Sequence, residues 1–383
     1  MDADLVQRSV DKIARLSAEP CDLASYWREC SEVVAAVIPH YLTACWYTLD
    51  PASLLATSHF HEGMVEFPAE WLAHEYYGDD VNQMSDVAGS ATGISTLHEA
   101  THGDPSTSTR WTFNQTMGSD QEMIARLRAP SGEVWGMLGL YREPGRPMFD
   151  TNDKQFLSAV SGHLAEGARR ALLVGAAVDP ADQQPDGPGL LIVSDRWELE
   201  SATPGVHRWL SELPGGDTVS GRLPAAVVAV AARARRNAEE VRPHSATVVS
   251  RVLSQSGTWI VLHGACLVDS GTRRIAVILE PAHPARIYPL LMAAYQLTPR
   301  ERDITQLVLQ GASTIQIAAQ LTVSQHTVQQ HMKSIFDKTG VRSRRDLVGK
   351  IFYQHYEPRF RDNEQRTLAN TPMRGDPLSR ITR

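Results

Sequence analysis

Residues 297–348 read LTPRERDITQLVLQGASTIQIAAQLTVSQHTVQQHMKSIFDKTGVRSRRDLV. Four short helices are written into this run, each opened by a capping residue. Thr298 caps the first, with Pro299 at the first helical position and Glu301 three residues on, a capping box. Ser313 and Gln316 repeat the pattern for the second. Ser324 opens the third, and Ser343 with Asp346 the fourth. Gly311 and Gly340 stand where the first and third helices must stop, because glycine enters the left-handed cap without a Cβ penalty.

The join between the second and third helices decides the fold. Helix two runs from Thr314 to Leu321, and only Thr322-Val323 separates it from Ser324. Two short helices joined so tightly must cross steeply, which is the helix-turn-helix. Within helix three, Val328, Met332 and Ile335 recur at i, i+4 and i+7 and face the small core. Gln325, His326, Gln329, Gln330 and Lys333 then project outward. A face of amides with one ammonium suits base edges, since glutamine can pair with adenine and lysine can donate to guanine.

The run resembles the DNA-binding domain of LuxR-type transcriptional regulators. The matching residues include Leu297, Thr298, Pro299, Glu301, Gly311, Ile317, Ala318, Leu321, Val323, Ser324, Thr327, Val328, His331, Ile335, Lys338, Gly340, Val341 and Arg342. Carried over by position, the resemblance makes Gln329, Gln330 and Lys333 the base-reading residues. It makes Ser324, His326, Thr327, Lys338, Arg342 and Arg344 the phosphate contacts. The family often pairs through the fourth helix, where Leu347, Val348, Ile351 and Phe352 form an apolar side. Two departures stand out: Gln329 occupies a position that is commonly basic, and Ile315-Gln316 replaces a frequent Lys-Glu pair.

Upstream of this run the chain is acidic. Leu297 to Arg383 carries 14 Lys+Arg against 8 Asp+Glu, and the rest of the chain 23 against 36, for a net charge of −7 overall. An acidic body with a basic C-terminal module suits a protein that touches DNA through one end, and excludes one that coats nucleic acid along its length. The length of 383 residues, 42% hydrophobic and 21% charged, suits two or three globular domains. Cys21, Cys30, Cys45 and Cys266 show neither disulfide nor zinc spacing, and the acidic start is no signal peptide. No apolar run reaches membrane-spanning length. A cytoplasmic protein without a cofactor is the expectation.

The N-terminal half reads as helices over Leu5–Leu16 and Asp22–Val37, then strands over Tyr41–Leu49 and Ala56–His61. A short helix over Ala69–Tyr77 follows, and then loops with short helices over Gly89–Gly118. A hairpin pairs Glu122–Ala129 with Glu133–Tyr141 around Pro130-Ser-Gly132, and a long helix runs from Thr151 to Ala176. This order, with the strand Glu133-Val-Trp-Gly-Met-Leu-Gly-Leu-Tyr141, resembles a GAF sensor domain. After a polar linker come strands at Leu190–Asp195 and Trp197–Ala202, and helices at Val206–Leu213 and Ala225–Arg236. Strands at Ala246–Leu253, Thr258–Leu267 and Arg273–Leu279 complete the region. Two strands, short helices and three strands, with the Ser256-Gly257-Thr-Trp259 turn, resemble a PAS-like domain.

The expected fold class is α+β, two antiparallel-sheet domains followed by an all-α four-helix domain. The boundaries are 1–178 GAF-like, 179–189 linker, 190–281 PAS-like, 282–296 connecting helix, 297–355 LuxR-type and 356–383 tail. The resemblance implies a homodimer on double-stranded DNA, a small-molecule effector in the GAF-like domain, RNA polymerase as a further partner, and no enzyme activity. Two alternatives compete. A two-component response regulator would need alternating parallel strands and helices with strand-end aspartates. A zinc hydrolase would use His98-Glu99-x-x-His102, which needs both histidines on one face of a continuous helix; Gly103-Asp104-Pro105 interrupts it at once. His59 and His61 share a strand face, where a structural role outweighs metal binding. Trp46, Trp71, Trp111 and Trp135 read as aromatic core.

Overall fold

The structure, a computed structural model, describes residues 2–19, 21–63, 67–175, 188–216, 222–240, 247–268, 273–282, 292 and 295–355. It forms two compact units, Met1–Pro281 and Ala282–Arg383. The fold is α+β. Two five-stranded antiparallel sheets lie in the first unit, and the described elements of the second are helices. The expected linker falls largely on residues 176–187, the connecting helix on 283–291 and 293–294, and the tail on 356–383; these lie outside the described residues.

The first unit opens with α1 (Ala3–Ala18) and α2 (Leu23–Val37), N-capped by Asp2 and Asp22, whose carboxylates accept from the Asp4 and Ser25 amides. Then come β1 (Tyr41–Leu49), β2 (Ala56–Phe60), α3 (Ala69–Tyr77), α4 (Met84–Gly89), β3 (Ile94–Thr96), α5 (Leu97–Ala100) and α6 (Thr109–Thr116). The expected hairpin is β4 (Gln121–Arg128) with β5 (Val134–Arg142), followed by α7 (Thr151–Gly175). The sheet order is β2-β1-β5-β4-β3.

Alternation along β1 divides its side chains between two faces. Trp46 stacks on Trp27 of α2, with centroids 4.4 Å apart and planes at 9°, and its Nε1 donates to Ser31 Oγ at 2.8 Å. On α7, Gly167 packs so close to α2 that a Cβ there would meet the Tyr26 ring at 2.0 Å. Trp46, Trp71 and Trp135 are buried in the core as expected, and Trp111 is half-buried. Cys45 and Tyr47 belong to the core that continues into the second sheet.

That sheet is built from β6 (Gly189–Val193), β7 (Leu199–Ala202), β8 (Val248–Leu253), β9 (Trp259–Val268) and β10 (Arg273–Pro281), with α8 (Val206–Glu212) and α9 (Ala225–Glu239) after its first two strands. Its order is β7-β6-β10-β9-β8. Counted within each sheet, both therefore run second, first, fifth, fourth, third. Neither has the parallel pairing that a phosphate receiver needs, since every described strand pair is antiparallel.

Helix α9 joins the halves. Its sequence AAVVAVAARARRNAE is apolar on all sides through its first two turns, and every residue from Ala225 to Ala232 is buried. Such a helix must be covered all round. It packs on β8, β9 and β10 of its own sheet and on α3 and β2 of the other. Its small side chains let both neighbours approach, and one hydrophobic core runs through both sheets. Polar contacts fasten the seam. Arg251 donates through Nη1 at 2.9 Å to Asp50, which is 1% exposed, and Arg236 Nη1 donates to Gly78 O at 2.8 Å. Tyr77 OH donates to Glu239 Oε1 at 3.2 Å.

One feature beneath the first sheet had no signal in the sequence. Arg110 on α6 sits between Glu75 of α3 (2.6 Å) and Glu122 of β4 (2.9 Å), all three side chains 1% exposed. Its guanidinium also donates to the carbonyls of Asn82 and Val81 at 3.0 and 3.3 Å. Burial pushes the Glu122 carboxyl above its ordinary range, against the pull of Arg110.

Candidate nucleic-acid interface

The second unit contains α10 (Pro299–Leu309), α11 (Thr314–Leu321), α12 (Gln325–Thr339) and α13 (Arg344–His355). The caps form as the residue types require. Thr298 with Glu301 and Ser313 with Gln316 close complete capping boxes, and Ser324 Oγ accepts from the Thr327 amide at 3.0 Å. Gly340 ends α12 in the left-handed region at φ 67°. Between α11 and α12, Thr322 itself takes φ 53° and ψ 48°, a conformation that threonine adopts at a cost of about 1 kcal/mol. The turn is tight enough for the Val323 amide to donate back to Ala318 O at 3.0 Å.

Helix α12 is divided as its periodicity dictates. Val328 and Ile335 are fully buried, beside Ile304, Val308 and Ile317, and Met332 is half-buried. Gln325, His326, Gln329, Gln330 and Lys333 are all exposed. The amide of Gln330 donates to the His326 ring at 3.1 Å, so these two side chains lie together one turn apart. Asp337 is exposed one turn beyond Lys333. A carboxylate there repels phosphate, so the N-terminal half of α12 is the half suited to a groove.

Of the expected phosphate contacts, Ser324, His326 and Arg342 are exposed and Thr327 is half-buried beside Ser324. Lys338 and Arg344 are placed differently. Lys338 Nζ donates to Glu301 Oε2 at 2.7 Å and to Gln296 O at 3.0 Å, and Arg344 donates to Ala312 O. Both cations hold the domain together. Glu301 is the hub that the capping box alone did not reveal. It is 3% exposed and accepts from the Thr298 amide, Ser334 Oγ and Lys338 Nζ. Burial works to raise its carboxyl, yet the bonds from Lys338 and Ser334 hold it below the usual range. Lys338→Met is therefore expected to cost the domain about 1 kcal/mol, after discounting for partial exposure, while leaving the salt dependence of DNA binding unchanged. Urea midpoints and the slope of log Kd against log salt check this. A slope reduced by one with unchanged stability would return Lys338 to the phosphates.

The expected pairing face of α13 is turned largely into its own domain. Leu347 and Ile351 are 0% and 1% exposed, packed into the domain's own core because α13 closes over α10 and α12. Val348 is half-buried, and the side chain of Phe352 lies outside the described ones. On α11, Ile315 is 65% exposed and Gln316 is held in its capping box, so neither supplies charge to a phosphate.

Residues 295–350 match the family model described as bacterial regulatory proteins, luxR family. This is a LuxR-type domain. The monoamine regulon transcriptional regulator of Klebsiella aerogenes is 46% identical over 56 residues, 15% of this chain and 25% of that protein. The nitrate/nitrite response regulator NarL of Escherichia coli K12 is 45% identical over 49 residues, 13% of this chain and 23% of that protein. The chain thus spans about a quarter of the length of these relatives, and the likeness is confined to the LuxR-type domain. Among solved structures, a putative GAF sensor protein from Burkholderia vietnamiensis aligns with 44% of this chain and 97% of its own at 16% identity, with a TM-score of 0.29.

The two metal-like patterns resolve into ordinary structure. The helix at His98 is α5, four residues long, and His102 lies past its end at φ 53°. Glu99 is paired with Lys154. The two histidines therefore do not share a helix face, which removes the geometry of the zinc hydrolase. Among the described residues no group of three or more His, Cys, Asp or Glu could hold a metal ion. His59 and His61 stack on each other at 5.3 Å. Burial, with His61 beside it, lowers the His59 pKa to about 4. The unfolded chain, with histidine near 6.5, then binds more protons between those two values, so this residue makes stability fall as pH falls through that window. His59→Phe is expected to flatten the pH dependence of the melting temperature between about pH 4 and 6.5; an unaltered profile would show that His59 is charged in the fold.

Proposed function

We propose that the chain is a sequence-specific, DNA-binding transcriptional regulator of the cytoplasm. In this reading Gln329, Gln330 and Lys333 of α12 read bases in the major groove, while Ser324, His326, Thr327 and Arg342 contact phosphates. The exposed amide and ammonium face on the N-terminal half of α12 carries the reading, because those side chains are held at the surface by a capped turn and take no part in the core. The unit 1–281, with its two sheets, modulates DNA binding through a bound effector. The protein acts as a homodimer, which sets two copies of α12 about one helical turn apart on the duplex. Val348 remains the apolar candidate of α13 for that contact, and RNA polymerase is the further partner.

Selection of the full chain from a random duplex library tests this. The expected result is one enriched motif with two related halves whose centres lie about 10 base pairs apart. Recovery of random sequence, with binding that only falls with salt, would leave a charge-driven contact and sink the specific regulator. Among the described residues no helix is both long and apolar enough to cross a membrane.

A further inference from the structure

A cavity of about 490 Å³ opens at the seam of the two sheets. We propose that it is a binding site for a small, flat, uncharged aromatic molecule with a hydrogen-bonding edge. The size lies within the usual range of small-molecule clefts, roughly 300–1,000 Å³. One wall is a run of rings from the first half: Tyr47, His59, His61 and Phe67. Phe67 meets His61 at 5.7 Å and stacks on Trp71 at 4.3 Å, so the wall continues into the core. The second half adds the apolar side chains of Trp197, Leu223 and Val228 to the lining.

Three observations point to an occupant. First, His61 Nδ1 is buried and has no hydrogen-bond partner among the described residues. Burial lowers the pKa of His61, as it does that of His59, so both rings are neutral at physiological pH and offer a lone pair or an N–H. Second, Trp197 is held at φ 63° in the turn between β6 and β7, where a bulky side chain is strained, yet it is 7% exposed with its ring against Tyr77 at 5.7 Å. Strain of this kind persists where surrounding structure holds a residue to a task. Third, the charged lining residues, Glu70, Glu198, Arg196 and Arg222, are all exposed and of balanced sign. They leave the interior neutral, so an ionic ligand would lose hydration without gaining a buried counter-charge.

An occupant would touch both halves at once and tighten the seam that α9 forms. That it acts as an effector rests on the regulator reading; that the cavity takes it does not.

Three probes of one bicyclic shape test the site on the full chain by calorimetry: 4-quinolone, quinoline-4-carboxylate and N-methylquinolinium. The neutral 4-quinolone is expected to bind at one site, and both ions at least about tenfold more weakly. His61→Phe keeps the wall but removes the ring nitrogen, and is expected to weaken 4-quinolone about tenfold. Leu223→Trp fills the cavity from its half-buried edge and is expected to abolish binding. Should Leu223→Trp fail to fold, His61→Phe decides. Absence of 4-quinolone binding, tighter binding of an ion, or binding untouched by a folded variant would overturn the site. DNA selection is run beside it. Selection without probe binding removes the site alone, and probe binding without selection removes the regulator reading alone.

Discussion

Arg110→Met is expected to lower the stability of the first unit by about 3–5 kcal/mol. The substitution keeps much of the stem volume but strips the positive charge from between Glu75 and Glu122, both 1% exposed. Two carboxylates then share a dry site with no cation to offset them, and at least one must take up a proton. The Asn82 and Val81 carbonyls lose their donor as well. The loss reads directly as a lower urea midpoint. A companion variant, Arg110→Met with Glu75→Gln and Glu122→Gln, is expected to recover part of the loss, because removing a whole buried ionic group is far less costly than breaking it. A midpoint for Arg110→Met within about 0.5 kcal/mol of wild type, the range of an ordinary surface substitution, would show that the cluster is hydrated.

Gln329→Ala combined with Lys333→Ala is expected to abolish sequence selection without unfolding the domain. Both side chains are exposed and make no contribution to the core, so the melting temperature should hold. Each well-formed side chain–base pair discriminates by about 1–3 kcal/mol, so losing both should weaken the preferred site by roughly thirtyfold to ten-thousandfold. The weak salt-dependent binding survives, with its slope reduced by about one for the lost ammonium. Competition between the selected duplex and a scrambled one measures this. A double variant that still prefers the selected duplex would move base reading to other side chains of α12, with His326 and Gln330 the next residues to test.

Much of the second unit is legible in the sequence. Caps, the stop at Gly340 and the short Thr322-Val323 turn are decided within about four residues of chain, and the spacing of Val328, Met332 and Ile335 sets which face is exposed. The same holds for most elements of the two sheets, including the hairpin at Pro130-Ser-Gly132 and the helix over Ala225–Arg236, but the edge strand β3 lies in a stretch that reads as loop, because three residues carry too little alternation, and Trp197 stands in the turn before β7 rather than in the strand. Position in the chain does not show which side chains also serve the fold. Lys338 and Arg344 bond to Glu301, Gln296 and Ala312, and Leu347 and Ile351 are buried in the domain's own core. A cation next to a buried carboxylate, or a leucine over a gap in a small core, is used locally. Nothing in the linear spacing says which carboxylate or gap lies there.

The sequence by itself therefore determined most of the helices and strands, the caps and turn of the second unit and the outward face of α12. These follow from interactions between near neighbours in the chain. The tertiary structure alone decided that Glu301 ties α12 to α10, that Arg110 joins Glu75 to Glu122, and that α9 is shared by two sheets with a cavity beside it. Those arrangements bring together residues far apart in sequence, such as Asp50 and Arg251, and their energies depend on burial that only the packed chain supplies.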